Sequence, residues 1–306
     1  MTSQEANPPL VCSFAQGPGC ANPSYANGAA GGYFGFGTPG NVTSNPDLNN
    51  GLASFPNLTP EAWSRYNALL VSANKRFSKS FQASASYTWP RCIDNGGYLG
   101  SFNSNSTGNF TNPYNLNSDK GVCSQNITSA FKLNGLLAMP FHGNRLVEGW
   151  QISGILTAAT GLALNIADGY DEAAGGTPVA LAPRPDYVSG CKVQVGLVNE
   201  WYNPLCFTLE APGALGNTGR NTVRGPSFVD TDIGIMKDTR IRETVSLQFR
   251  AEFFNIFNHT NLGLPTGGLG GASLFLGGGQ RNGSAGQITS MVGTPRQIQF
   301  ALKILF

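Results

Sequence analysis

Residues 296–306 decide the fold of this chain, and they read Arg-Gln-Ile-Gln-Phe-Ala-Leu-Lys-Ile-Leu-Phe. Apolar side chains alternate with polar or small ones, so that one face carries Ile298, Phe300, Leu302, Ile304 and Phe306. A period of two residues is that of a β-strand, because successive side chains of a strand point to opposite sides. The segment therefore predicts a long strand with one apolar and one polar face.

The same alternation occurs upstream and predicts six more strands. All seven predicted strands are 63–77, 80–90, 128–140, 147–160, 228–238, 243–257 and 296–306. Most of them are longer than the roughly 5–6 residues usual in soluble sheets. They match the roughly 9–11 residues of a tilted membrane-spanning strand, which favours a transmembrane β-barrel.

The connections between these strands alternate strictly between short and long. The short ones lie at 77–80, 141–146 and 239–242, and the long ones are 91–127, 161–227 and 258–295. Outer-membrane barrels have short periplasmic turns on one side and longer extracellular loops on the other. The pattern therefore predicts an antiparallel barrel whose long connections are extracellular.

Six cysteines fall as sequence neighbours, each pair enclosing a loop rich in Gly, Asn, Pro or Ser. The candidate disulfides are Cys12 with Cys20, Cys92 with Cys123 and Cys191 with Cys206. All six lie in the long connections or in the leader 1–62, on the side that the topology predicts to be extracellular. Paired cysteines indicate an oxidising compartment. Because Met1 to Phe14 has no signal-peptide pattern, we expect the exported protein to begin upstream of this sequence.

The composition excludes several classes of function. Charged residues make up 12% and the net charge is +2, so a strongly basic nucleic-acid-binding protein is excluded. No run of about 20 apolar residues is present, which excludes a membrane-spanning helix. Only two histidines occur, and no hydrolase or metalloprotease motif surrounds His142 or His259. We expect no enzyme activity, no cofactor and no metal site, and we assign the acidic cluster Asp168, Asp171 and Glu172 to a solvated loop.

An odd number of strands has a consequence for closure. Complete single-chain bacterial barrels contain an even number of strands, at least eight. Seven strands would leave two edges with unpaired backbone groups in lipid, at a cost of several kcal/mol for each group. We therefore expect an incomplete barrel, formed by about seven C-terminal strands of a larger one.

Five segments resemble the C-terminal end of TonB-dependent outer-membrane receptors of the Oar-like branch. They include Tyr66–Phe77, Ala85–Trp89, Gly149–Gly154, Gly219–Pro226 and, most distinctive, Phe249–His259, which reads Phe-Arg-Ala-Glu-Phe-Phe-Asn-Ile-Phe-Asn-His. The resemblance covers roughly residues 60–306. It implies a barrel of 22 strands filled by an N-terminal plug, which imports a scarce ligand with energy relayed by TonB from the inner membrane.

The resemblance also implies a location and partners. The chain would be the C-terminal part of such a receptor in the bacterial outer membrane, and alone it would not transport. Residues 1–62 would be an extracellular loop or leader, and 63–306 the last strands. Its partners would be outer-membrane lipid, the barrel-assembly machinery, and the missing N-terminal strands and plug. TonB would be reached only through that plug.

Individual side chains receive roles from these patterns. Phe306 is the terminal aromatic residue that the barrel-assembly machinery would recognise. Aromatic side chains near strand ends predict girdles at the two membrane interfaces, and they are Trp63, Tyr66, Tyr87, Trp89 and Trp150. Polar residues that would face the barrel lumen are Lys132, Gln248, Arg250, Glu252 and Lys303.

Two other classes of protein fit parts of the pattern. A secreted or surface β-rich binding or adhesion protein would use the same alternation, but it would have to bury the apolar face. The strict short-long alternation and the one-sided cysteines oppose this hypothesis. A hydrolase on a β-scaffold is disfavoured by the two histidines.

Overall fold

A computed structural model describes residues 2–5, 56–59, 62–78, 80–95, 115–168, 184–211, 214–266, 274–276 and 279–306. Seven long strands dominate this part of the chain. They are β1 (Ser64–Ser78), β2 (Phe81–Asp94), β3 (Ala130–Ala138), β4 (Trp150–Ala159), β5 (Phe228–Arg240), β6 (Ser246–Phe254) and β7 (Gln297–Leu305). The all-β fold class predicted from the alternation is confirmed.

The seven strands form one antiparallel sheet in which each strand pairs with its sequence neighbours. The remaining edges of β1 and β7 do not pair with each other within the described residues. The sheet is therefore open, as expected for part of a larger barrel. Within the same residues, no helix has both the length and the apolar character needed to cross a bilayer.

Short elements decorate the long connections. Among the described residues, 3₁₀ turns occur at Leu116–Asp119 and Pro204–Cys206. Thr2–Glu5 pairs with Pro56–Thr59, but most of the predicted leader 1–62 lies outside the described residues. The remaining short strands are Gly121–Val122, Ala163–Leu164, Asp186–Tyr187, Gln194–Leu197, Glu200–Tyr202, Phe207–Thr208 and Val223–Arg224.

Strand ends differ from the sequence prediction by up to four residues, and two of the differences have a clear cause. β2 continues to Asp94, four residues past the predicted end, because β1 is long enough to pair with it up to Ser64. Cys92 therefore lies within a strand rather than in the long connection. β6 stops at Phe254 because Asn255 adopts a left-handed conformation with φ of 46°, which asparagine tolerates better than most residues.

Asn255 also fastens the end of β6 to its surroundings. Its side chain accepts a hydrogen bond from the backbone N–H of His259 at 2.8 Å and donates to the carbonyl of Thr294 at 3.1 Å. Its own backbone N–H donates to Oδ1 of Asp232 on β5 at 2.9 Å. Asn255, which lies in the most distinctive sequence segment, therefore ends β6 and fixes the position of the chain just before β7.

Residue pairing defines two continuous faces of the sheet. On the apolar face, Ile235 lies between Ile152 and Ala251, and the rings of Phe249 and Phe300 stack with centroids 6.2 Å apart. On the polar face, Ser84 donates a hydrogen bond to Asn74 at 2.6 Å. Large apolar side chains such as Phe300, which is 66% exposed, are mostly uncovered by protein, as expected of a face that contacts lipid.

The two ends of the sheet differ as predicted. One end, here called the turn edge, is formed by residues 75–78, 80–81, 139–150 and 237–246, at the short connections. Asn144 stabilises the β3–β4 turn by accepting hydrogen bonds from the backbone of Leu146 and Val147 at 3.0 and 3.1 Å. Gly149 has φ of 82°, and a Cβ there would overlap the carbonyl oxygen of Asp238. The three long connections all leave the opposite end.

The two faces predict different responses to a new charge. We expect Phe300→Arg to destabilise the membrane-inserted chain by about 2–4 kcal/mol, the range for arginine at the bilayer midplane of a barrel's lipid face. Gln299→Arg is the matched control, because its neighbour across the strand pair is Glu252 on the polar face. Urea titration of vesicle-inserted protein measures both. Equal losses would contradict the assignment of the faces.

Candidate functional site

The long connections pack into a layer of their own at the end of the sheet opposite the turn edge. We call it the loop assembly and define it as the described parts of 115–129, 161–227 and 258–295. Its core contains side chains from two connections that lie far apart in sequence. They are Leu164, Ile166, Tyr202, Cys206, Phe207, Val223, Leu274, Phe275 and Ala285. Loops rarely have a buried apolar core, so this layer is a built structure and not a set of free loops.

Disulfides fasten the loop assembly in two places. Cys191 pairs with Cys206, which closes a loop across a sequence separation of 15 residues. Cys92 pairs with Cys123, which ties the end of β2 to the connection that follows it. The third candidate pair, Cys12 with Cys20, lies outside the described residues.

Two buried ion pairs fasten the second long connection, one to the first long connection and one to the end of β2. Arg184 pairs with Asp119, and its Nε also donates to the carbonyl of Thr218 at 2.9 Å. Arg220 pairs with Asp94, the last residue of β2. Burial lowers the pKa of Arg220 to about 10. Buried charges are costly unless paired, so these contacts fix how the two connections meet.

The segment 219–226 makes several of the contacts between the first two long connections. Beside Arg220, the amide of Asn221 donates to the carbonyl of Val122 at 2.5 Å and to Ser124 Oγ at 3.2 Å. Arg224 donates to the carbonyl of Asn126 at 3.0 Å. Sequence reasoning noticed this segment through the family resemblance but assigned no role to its arginines. The signal that could have found them is a pair of arginines in a glycine-rich loop of a chain that is otherwise poor in charge.

Asp168 overturns the expectation of a solvated acidic loop. Its side chain is fully buried in the loop assembly, and Glu210 is buried close to it. Burial, and next the neighbouring Glu210, raise the pKa of Asp168 to about 9. The local environment therefore favours the neutral acid. The other members of the predicted cluster, Asp171 and Glu172, lie outside the described residues.

The five residues predicted to face the lumen all lie on the polar face of the sheet. Gln248 lies opposite Lys303, and Glu252 lies opposite Gln299. Arg250 donates to Gln248 Oε1 at 2.7 Å, and Gln248 donates to Asp238 at 2.8 Å. Lys132 on β3 is opposite Thr157 on β4 and remains apart from this group, which lies on β5, β6 and β7. Their exposure to a lumen stays a prediction, because the sheet is open.

The aromatic residues fit the predicted girdles only in part. Tyr87, Trp89 and Trp150 share the apolar face with Leu69, Phe131 and Ile235. Tyr66 lies opposite Cys92 on the polar face, and Trp63 precedes β1. Phe306 follows the last residue of β7 and is fully exposed. Its recognition by the assembly machinery stays a prediction.

One group of potential metal ligands occurs among the described residues, and it consists of Cys92, Cys123 and Asp94. The two sulfur atoms are joined in a disulfide and the carboxylate pairs with Arg220. None of the three is free to act as a thiolate or carboxylate ligand. His142 is exposed in the β3–β4 turn, and the backbone N–H of His259 donates to the Asn255 side chain.

Comparison with known proteins gives one finding. A family model described as an outer membrane beta barrel domain matches residues 5–299. No curated protein and no solved structure matches the chain. The matched region includes the loop assembly and nearly the whole sheet.

Removal of the Cys191–Cys206 disulfide should loosen the loop assembly alone. A closed loop of about 15 residues contributes about 3 kcal/mol. We expect the double variant C191A/C206A to be cut by trypsin after exposed Lys192 about a hundredfold faster, because local opening becomes easier. Cleavage after exposed Arg242, in the β5–β6 turn, is the internal control. Unchanged cleavage after Lys192 would contradict a stabilising role for this disulfide.

Asp168 should make the loop assembly less stable as the pH rises. Its pKa is about 9 in the folded protein against an ordinary value of 3.8, so the folded state binds more protons between these values. The stabilisation is complete below about pH 4 and is lost progressively up to about pH 9. We expect Asp168→Asn to flatten this dependence, measured by urea denaturation with Trp201 fluorescence at pH 5 and pH 8. Glu200→Gln is the control, and a slope unchanged in Asp168→Asn would refute the assignment.

Proposed function

This chain belongs to the outer membrane beta barrel domain family, and from the resemblance of its segments we propose that it is the C-terminal part of a TonB-dependent receptor of the Oar-like branch. The family places it in the bacterial outer membrane as a barrel protein. Receptor identity and ligand import are more specific than the family assignment. They rest on the resemblance of five segments and on the architecture of the loop assembly. The complete receptor would bind a scarce ligand at the cell surface and import it.

The observation that carries this proposal is the loop assembly itself. Loops that merely connect strands do not need a shared apolar core, two disulfides and two buried ion pairs. Such restraints lower the conformational entropy that a binding surface loses when a ligand docks. A restrained surface on the extracellular end of a barrel favours ligand recognition.

Each part of the chain has a place in this mechanism. The loop assembly would contact the ligand first. The polar face, with Asp230, Asp232 and Glu252 nearest the loop assembly, would line the path. Gating and the link to TonB would belong to the N-terminal plug, so this chain alone would not transport. We propose no covalent chemistry and no cofactor for it.

Topology in living cells tests the proposal. Epitope tags are inserted after Ser189, which is exposed in the loop assembly, and after Glu243, which is exposed at the turn edge. We expect antibody to bind the first tag on intact cells and the second only after the outer membrane is permeabilised. Affinity purification through the Ser189 tag should recover a plug-containing polypeptide and TonB.

Other outcomes separate the alternatives. Recovery of the tagged chain from the culture medium would favour a secreted adhesion protein. Membrane insertion with the expected topology, but as a 32.2 kDa polypeptide without plug or TonB, would preserve the barrel and refute TonB-dependent import.

A further inference from the structure

Positive charge is concentrated at the turn edge. Its residues 75–78, 80–81, 139–150 and 237–246 contain six of the 19 Lys and Arg residues but only three of the 17 Asp and Glu residues. This gives the turn edge a net charge of +3, whereas the remainder of the chain has a net charge of −1. A cationic end on a chain whose net charge is only +2 needs an explanation.

The contacts of Lys237 show how one of these cations is positioned. It lies on the apolar face between Trp150 and Phe249, an unusual position for a lysine. Its Nζ lies 5.2 Å from the centroid of the Trp150 ring and donates to the carbonyls of Arg145 and Glu148 at 2.9 and 2.8 Å. The ammonium group thus reaches toward the turn edge while its stem covers apolar surface, as lysines do at membrane interfaces.

Lys75 repeats this arrangement on another strand of the same face. It pairs with Ala83, and its Nζ lies 5.1 Å from the centroid of the Phe81 ring. Lys237 and Lys75 therefore each combine a cation with an aromatic ring near the turn edge, on β5 and β1. Tryptophan rings such as that of Trp150 favour the headgroup level of a bilayer.

The turns themselves are apolar where they are most exposed. Leu146 is 78% exposed, and Phe141, Val147 and Ile241 are each more than 40% exposed. Turn residues that only face water would be expected to be polar. Exposed apolar side chains next to cations are typical of a surface that inserts at the boundary between headgroups and acyl chains.

We propose that the turn edge is a binding surface for anionic phospholipid headgroups of the periplasmic leaflet, with Lys237 and Lys75 as its two lipid-facing cations. A phosphatidylglycerol headgroup has the complementary charge. Lysine has three N–H donors, and Lys237 uses two of them on turn carbonyls. The inference rests on the barrel fold and on a periplasmic turn edge, and it does not depend on import of a ligand.

The acidic groups near the turn edge do not cancel this charge on the lipid face. Asp238 lies on the polar face and accepts a hydrogen bond from Gln248. Glu148 and Glu243 are exposed within the turns. Lys303, a further cation at this level, lies on the polar face opposite Gln248 and would not contact lipid.

Fluorescence quenching by brominated lipids tests the proposal on the full chain in non-ionic detergent micelles. The micelles are titrated with dibrominated phosphatidylglycerol or dibrominated phosphatidylcholine, and the Trp150 signal is the difference between the chain and its Trp150→Phe variant. We expect phosphatidylglycerol to reach half-maximal quenching at a mole fraction about fivefold lower than phosphatidylcholine, the effect of one cation near an anionic surface. High salt should abolish this preference.

Variants assign the preference to Lys237. Lys237→Gln should remove it and Lys237→Arg should retain it, because only the second keeps the charge. Lys120→Gln is the matched control, since Lys120 lies over the Trp63 ring at 5.9 Å at the opposite end of the sheet. Equal quenching of Trp150 by both lipids would overturn the proposal. A loss in Lys120→Gln as large as that in Lys237→Gln would overturn it as well.

Discussion

Backbone hydrogen bonding between neighbouring strands is the constraint on which the rest of this structure depends. Lipid offers no donor or acceptor, so each N–H and C=O of a membrane-spanning segment must find a protein partner. Five of the seven strands, β2 to β6, are paired on both sides. The edge strands β1 and β7 run in the same direction, because six reversals separate them. An all-antiparallel barrel that includes this sheet must therefore contain an odd number of further strands.

The loop assembly depends on the sheet for its position. Asp94 is the last residue of β2 and forms the ion pair with Arg220, and Cys92, two residues earlier, carries one of the disulfides. The strand extension that the sequence did not predict is thus the part of the sheet that anchors the second long connection. A rigid support for a restrained surface is what recognition by loops requires. Opposite this anchored end, the sheet presents its cationic turns.

Sequence reasoning succeeded where the physical signal is local and repeated. The seven strands follow from a period of two residues, and the ends of the observed strands lie close to the predicted ones because Gly, Pro and Asn mark the turns. Sequence reasoning failed where a single residue departs from the alternating pattern of its strand. Asn255 ends β6 early through a left-handed conformation, and Tyr66 faces the side opposite to that of a lipid-facing girdle.

By itself, the sequence determined the all-β antiparallel sheet, its order and the separation of long from short connections, since alternation and turn residues act between near neighbours. Only the tertiary structure decided which loop residues meet. Asp168 is buried near Glu210, and Arg184 reaches Asp119 across 65 positions. Such pairs depend on the path that each long connection takes in space. Contacts between residues tens of positions apart produce no periodic pattern in the sequence. The charge at the turn edge lies between these cases, because the sequence contains the cations but only the register places Lys237 on the lipid face.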